Sequence, residues 1–144
     1  MSAIRAVGPG DRSEWERLWR GYLDFYGTEL PQEVFEAQWA RLMTAETVRG
    51  LVAERDGGLA GLAHIILHAH GWKTGPVCYL QDLYVDPGAR GTGLGRQLIE
   101  AVYGAADAAG APEVYWLTQT GNVTARRLYD RIGRATDFMK YRRP

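Results

Sequence analysis

Residues 80–95 read LQDLYVDPGARGTGLG. An apolar run from Leu80 to Val85 enters a glycine-rich loop, after which Leu94, Leu98, Val102, Ala105 and Ala109 recur at helical spacing. Strand, loop and helix in that order build an anion site. The first N–H groups of a helix have no intrahelical partner, and the helix dipole adds about half a positive charge beside them. Gly91, Gly93 and Gly95 remove side chains that would hold a phosphate off the backbone, while Arg90 and Arg96 flank the loop with cations. The spacing excludes a nucleotide P-loop, because no Lys-Ser or Lys-Thr follows the glycines. Gly91-Thr92-Gly93-Leu94-Gly95-Arg96 also fails the dinucleotide fingerprint. The stretch predicts a phosphorylated ligand at the loop, with a longer part of that ligand against the preceding strand.

Downstream, Gly110 and Pro112 stop the helix, and residues 113–118, EVYWLT, read as a buried strand. In TGNVTARRLYDRIG, Asn122 is a natural N-cap, Ala125, Leu128, Tyr129 and Ile132 form one stripe, and Gly133 stands at a C-terminal cap position. Two motifs here resemble the GNAT superfamily of N-acetyltransferases. Arg90, Gly93 and Gly95 fill the fixed positions of its acyl-coenzyme A loop, Gln/Arg-x-x-Gly-x-Gly/Ala. Asn122, Ala125, Leu128 and Tyr129 fill its Asn-x-x-Ala-x-x-Leu-Tyr segment. One departure is Gly133-Arg134, where many members carry an aromatic residue after the glycine.

Upstream, Ala3 to Val7 reads as a strand, and Asp11 with Glu14 as a capping box. Trp15, Leu18, Trp19, Tyr22, Phe25 and Tyr26 line one face of a first helix, and Pro31 opens a second carrying Val34, Phe35, Trp39 and Leu42. Leu51–Arg55, a turn at Asp56-Gly57-Gly58, and Leu59–His68 predict a β-hairpin, with Val77–Val85 as the next strand. The resulting order, β-αα-βββ-α-β-α-β with a last strand over 138–142, fits a single α/β (α+β) domain over residues 1–144. The resemblance implies the GNAT fold, a mixed and mostly antiparallel central sheet flanked by helices.

The 17 basic and 17 acidic residues cancel, so nothing in the charge favours nucleic acid or a membrane surface. The single Cys78 excludes an internal disulfide framework, no stretch approaches the roughly 20 apolar residues of a membrane span, and the first residues lack a signal-peptide pattern. A cytoplasmic protein is expected.

The resemblance also implies a chemistry. Acetyl-CoA is the co-substrate, with no metal. The backbone of Leu83, Tyr84 and Val85 lies along the pantetheine and acetyl group, and Arg90, Gly91, Thr92, Gly93, Leu94, Gly95 and Arg96 take the pyrophosphate. Asn122 and Ala125 border the cofactor arm, and Tyr129 serves the departing sulfur. An alkylamine with a pKa of about 10.4 must lose a proton before it attacks, so a base is needed. Related polyamine enzymes place a Glu where Gln81 stands, and glutamine cannot accept that proton. Asp82 is the adjacent carboxylate, placed by strand alternation opposite Gln81 and beside Tyr84. It is a candidate for catalysis, for binding a cationic substrate or for holding an ordered water, and equally suits an ordinary capped or paired carboxylate. Tyr22, Tyr26 and Gln81 are candidates for the amine side, although an aromatic stripe on a helix equally suits core packing. His64, His68 and His70 share a strand face by period two, but no Cys or carboxylate joins them in sequence, which suits an edge or interface role better than a metal. Cys78 reads as a small buried hydrophobe. The C-terminal arginines suit either the CoA 3′-phosphate or a solvated face.

Within the superfamily, WERLWRGYLDFY, LQDLYVDPGARG, VYWLTQTGNVTARRLY and the ending MKYRR resemble the fungal histone/polyamine acetyltransferases and the related D-amino-acid N-acetyltransferases. That similarity implies transfer to a primary amine of a small molecule, an amino acid or polyamine-like compound, and a homodimer built through the C-terminal strand. A lysine side chain of a histone-like protein, or a sensor that binds acyl-CoA without turnover, are the alternatives. The missing base at Gln81 supports the sensor, and Tyr129 opposes it.

Overall fold

The computed structural model describes residues 2–144. Its elements are β1 (Ser2–Ala6), α1 (Arg12–Phe25), α2 (Gln32–Thr44), β2 (Val48–Arg55), β3 (Gly58–His68), β4 (Val77–Val85), α3 (Leu94–Ala108), β5 (Val114–Tyr115) and α4 (Val123–Ile132). The sheet runs β1-β2-β3-β4-β5; the first four strands pair antiparallel, and β5 joins β4 in parallel. Asp56 and Gly57 both have positive φ, which gives the β2–β3 turn the twist that a two-residue hairpin needs.

Alternation along the strands feeds two cores. On one face Ala53, Ala63, Ile65, Cys78 and Leu80 meet Leu94, Leu98, Ile99, Val102 and Ala106 of α3. On the other, Val52 and Leu62 meet Trp15, Leu18 and Trp19 of α1 and Phe35 and Leu42 of α2. Burying each of these larger side chains contributes about 1.5–3 kcal/mol. Trp15 packs against Trp19 at 5.4 Å and Trp39 at 5.1 Å, a dense aromatic layer beneath the sheet.

The structure corrects three local expectations. Asp11 and Glu14 form no capping box on α1. The Asp11 carboxylate accepts from the Gly8 N–H and pairs with Arg5, and Glu14 accepts from Arg17 and the Leu59 N–H. β5 keeps only Val114 and Tyr115 of the six residues 113–118, because the chain parts from β4 directly afterwards. The last strand over 138–142 does not form. Residues 133–144 hold no helix or strand, and Phe138, Met139 and Tyr141 stand 89%, 79% and 87% exposed, with no apolar surface of their own chain to cover them.

Candidate active site

The site begins where the sheet opens. β4 and β5 pair only at Cys78–Val114 and Tyr79–Tyr115, so the remaining length of β4 has no strand on that side. The pairing of β4 with β3 is irregular nearby: His64 faces Asp82 and Ile65 faces Leu80, leaving Gln81 as an extra residue. Such a bulge bends a strand and strengthens its twist, which carries the end of β4 away from its neighbour. It also breaks period two. Leu80 and Leu83 both pack on the α3 side, while Asp82 and Tyr84 face α1. The cleft between the parted strands is lined by Tyr22 and Tyr26 from α1, Gln81 and Leu83 from β4, Trp116 and Leu117 beyond β5, and Tyr129 from α4.

At the far end of β4 lies the glycine loop. Gly91 and Gly93 adopt φ of 78° and 84°, the left-handed region that glycine enters at no steric cost. No acceptor among the described residues takes the backbone N–H of Gly91, Thr92, Gly93, Leu94, Gly95 or Arg96; the ladder of α3 begins with the Gln97 N–H on the Gly93 carbonyl oxygen. A row of unpaired donors at the start of a 15-residue helix fits a pyrophosphate. The arginines contribute less than the sequence suggests. Arg90 folds back, its Nε donating to the Val85 carbonyl oxygen at 3.1 Å and its guanidinium lying over Tyr84. Arg96 pairs with Glu100 one turn along. The Thr92 hydroxyl donates to the Ala89 carbonyl oxygen. Gly95 lies between β4 and α4, where a Cβ would meet Leu128 and Val85 at contact distance.

α4 forms the opposite wall. Asn122 caps it, Oδ1 accepting from the Ala125 N–H at 3.3 Å. Tyr129 leans edge-on against Trp116 at 5.5 Å and lines the cleft together with Tyr26. Burial first, and the neighbouring Tyr26 second, raise the Tyr129 phenol above its ordinary value, so it is a held proton donor.

Behind the α1 wall lies a polar network inside the aromatic core. His64 is fully buried and Asp82 is 7% exposed. Trp15 Nε1 donates to His64 Nε2 at 2.9 Å, His64 Nδ1 meets Asp82 Oδ2 at 2.8 Å, and Trp19 Nε1 donates to the same oxygen at 3.2 Å. An indole N–H only donates, so His64 Nε2 accepts and Nδ1 carries the ring hydrogen toward Asp82. The Tyr22 hydroxyl stands beside this carboxylate. Burial first, then the charge of Asp82, raise the Tyr22 phenol far above its usual value.

These features are those of a known family. The acetyltransferase (GNAT) family pattern matches residues 14–133. The chain belongs to the GNAT acetyltransferase family. It is an acyl-CoA-dependent N-acetyltransferase. The D-amino-acid N-acetyltransferase HPA3 of Saccharomyces cerevisiae is 38% identical over 143 residues, covering 97% of this chain and 89% of that protein. An aminoglycoside N(6')-acetyltransferase type 1 of Stenotrophomonas maltophilia is 29% identical over 136 residues, covering 90% of this chain and 84% of that one. The solved aminoglycoside acetyltransferase AAC(6')-Iy, held with a CoA-linked bisubstrate analogue, superposes with a TM-score of 0.88 over 100% of this chain and 98% of its own, at 21% identity; it shares the fold.

Within this GNAT site the structure gathers Tyr22, Tyr26, Gln81, Leu83 and Tyr129 at one cleft and sets Asp82 behind them. The Tyr84 side chain does not line the cleft; it packs against α1, edge-on to Tyr22 and close to Gly21. The histidines do not converge, and the edge or interface role fails for His64, which lies on the central strand; His68 meets the Tyr115 hydroxyl at 2.7 Å and His70 packs on Trp72. Among the described residues no His, Cys, Asp and Glu group could hold a metal. Cys78 is buried, its thiol pushed up to about 11 by desolvation. A depression of about 410 Å³ opens at the opposite sheet edge, but Arg5, Asp11, Glu14 and Glu54 there already satisfy partners. Sequence reasoning missed the parts played by His64, Trp19 and Trp116. The signal for His64 was its register opposite Asp82, which only strand pairing reveals.

Proposed function

We propose that this enzyme transfers an acetyl group from acetyl-CoA to the primary amine of a small molecule, an amino acid or polyamine-like compound, by direct attack in a ternary complex. The observation that carries this reading is the cleft itself: a narrow opening with Tyr129 on one wall and Tyr22 and Tyr26 on the other. That size and lining suit a small amine better than a folded protein surface. The activity named for the yeast relative, acetylation of D-amino acids, supports the same class of acceptor.

In this reading the loop from Arg90 to Arg96 holds the pyrophosphate through backbone N–H groups, and the unpaired edge of Leu83, Tyr84 and Val85 extends the pantetheine arm as an added strand. Asn122 and Ala125, at the start of α4, border that arm. The thioester carbonyl oxygen gains charge as the amine attacks, and a backbone N–H near the Gln81 bulge donates a hydrogen bond to it. Tyr129 donates to the sulfur as the C–S bond breaks. Gln81, at the lip, orients the amine without taking its proton. A homodimer belongs to the same proposal: exposed Phe138, Met139 and Tyr141, together with the open edge of β5, suit pairing with a second copy.

The test is thiol release from acetyl-CoA with D- and L-amino acids, polyamines, aminoglycosides and histone-tail peptides as acceptors. Turnover with a small amine supports the reading. Turnover with peptides alone overturns it, and binding of acetyl-CoA without turnover on any acceptor points to a sensor. Sedimentation at micromolar concentration tests the dimer, and a monomer mass refutes it.

A further inference from the structure

The attacking amine has to lose a proton, and Gln81, at the position where a base is expected, cannot take it. The cleft wall offers a different acceptor. Tyr22 lines the cleft, and behind it on the same side lies Asp82, held by Trp19 and by His64, which is held in turn by Trp15. The carboxylate accepts only, and its partners in this network are donors, so a proton arriving by way of Tyr22 ends on Asp82.

We infer that Tyr22 and Asp82 form the proton relay of this enzyme, with Tyr22 the catalytic residue that touches the amine and Asp82 and His64 the positioning residues behind it. The inference rests on the acetyl-transfer reading above. In the step, one N–H bond of the ammonium breaks and its proton passes to Tyr22 Oη, while the hydroxyl proton of Tyr22 passes to Asp82 directly or across one water. The amine becomes neutral, Tyr22 remains a phenol throughout, and Asp82 carries the proton until product leaves and it returns to solvent. Trp15 and His64 fix the ring hydrogen on Nδ1, so His64 and Trp19 both donate to Asp82 Oδ2 and hold the carboxylate in place beside Tyr22. The high resistance of the Tyr22 phenol to ionisation suits a group that passes a proton on without ever standing as phenolate.

The groups facing this pair are few. From β3 comes His64; from α1 come Trp15, Trp19 and Tyr26; on β4 itself Tyr84 meets Tyr22 edge-on with the Arg90 guanidinium over its ring, and Tyr79 feels the Asp82 charge and stacks on Tyr115 of β5. α2 contributes Phe35 and Trp39, which do not titrate, with Arg20 over Phe35 and Arg12 over Trp39.

The experiment compares wild type, Tyr22→Phe and Asp82→Asn as a function of pH with two acceptors. One is a lysine-like alkylamine with a pKa of about 10.4, the other a D-amino-acid amide with an α-amine near 8. With the alkylamine at neutral pH, both variants are expected to lose at least about 100-fold in kcat/KM, the usual contribution of general base catalysis. The deficit shrinks as pH approaches the amine pKa, where solvent supplies the free amine, and it closes at lower pH for the α-amine. Acetyl-CoA affinity and thermal midpoint are followed alongside; Tyr22→Phe keeps the ring and hence the packing. A deficit that is flat in pH and equal for both amines, or a variant as fast as wild type, overturns the relay while leaving acetyl transfer intact. Absence of wild-type turnover on both amines and the wider acceptor panel overturns the acetyl-transfer reading itself, and the relay with it.

Discussion

Replacing Tyr129 by Phe removes one hydroxyl and leaves the ring against Trp116, so the perturbation is confined to what that hydroxyl does. A free phenol at about 10 and a thiol at about 8.5 differ by 1.5 units, so full proton transfer to the departing thiolate is uphill by about 2 kcal/mol. Burial raises the Tyr129 phenol further, which makes completed transfer less favourable still. The hydroxyl therefore works as a hydrogen bond that strengthens while charge builds on sulfur. Hydrogen bonds to charged groups contribute about 1.5–3 kcal/mol, equivalent to roughly 10- to 150-fold in rate. Tyr129→Phe is expected to lose that factor in kcat, with acetyl-CoA affinity unchanged. The pH dependence sets a sharper condition. A phenol held above its normal value stays protonated from about pH 6 to about pH 9, so the wild-type to mutant ratio should be flat over that range. Thiol release under saturating amine, with acetyl-CoA binding by calorimetry, measures both. A loss under about threefold, or a ratio that collapses below about pH 9, refutes the reasoning.

Gly93→Ala forces a methyl-bearing residue into φ 84°, at a cost of about 1–2 kcal/mol, while no described atom lies within 4 Å of the new methyl. Its main effect should fall on the ligand side, as at least about a tenfold rise in the CoA dissociation constant by calorimetry. His64→Leu leaves the Trp15 indole N–H without its acceptor and Asp82 short of a donor; at about 1–3 kcal/mol per orphaned group, stability should fall by about 2–5 kcal/mol. The urea midpoint should drop at unchanged m, and a loss below about 1 kcal/mol would mean the core relaxes around the gap. Gly133→Ala brings a Cβ to 2.8 Å from the Trp116 ring in an extended backbone, so the cost is overpacking of about 1–3 kcal/mol. Because Trp116 supports Tyr129, kcat should fall together with the thermal midpoint.

Local pattern carried much of this protein. The glycines at 91 and 93 mark the left-handed turn before α3, Asn122 caps α4, and Asp56-Gly57 closes the β2–β3 hairpin, each because a short-range backbone demand admits few residue types. Where a residue had two local options, the reading failed. Asp11 could cap α1 or pair with Arg5, and the arrival of β1 alongside decided for Arg5. The stretch 138–142 has strand character, but a strand forms only where it pairs with an edge, and in the structure this stretch pairs with none and stays exposed.

The sequence by itself determined the order of elements as far as α4, the glycine loop and the family, since these depend on periodicity and on glycines at set spacing. Tertiary structure decided the chemistry at the cleft. The bulge at Gln81 emerges only when β4 is laid in register on β3, and it parts β4 from β5 while turning Asp82 toward α1. The direct hydrogen bonds among Trp15, Trp19, His64 and Asp82 span 18, 49 and 63 positions along the chain. No local propensity encodes such a pairing: it arises when a helix face and two strands, each specified separately, are pressed together, and buried polar groups then have only one another as partners.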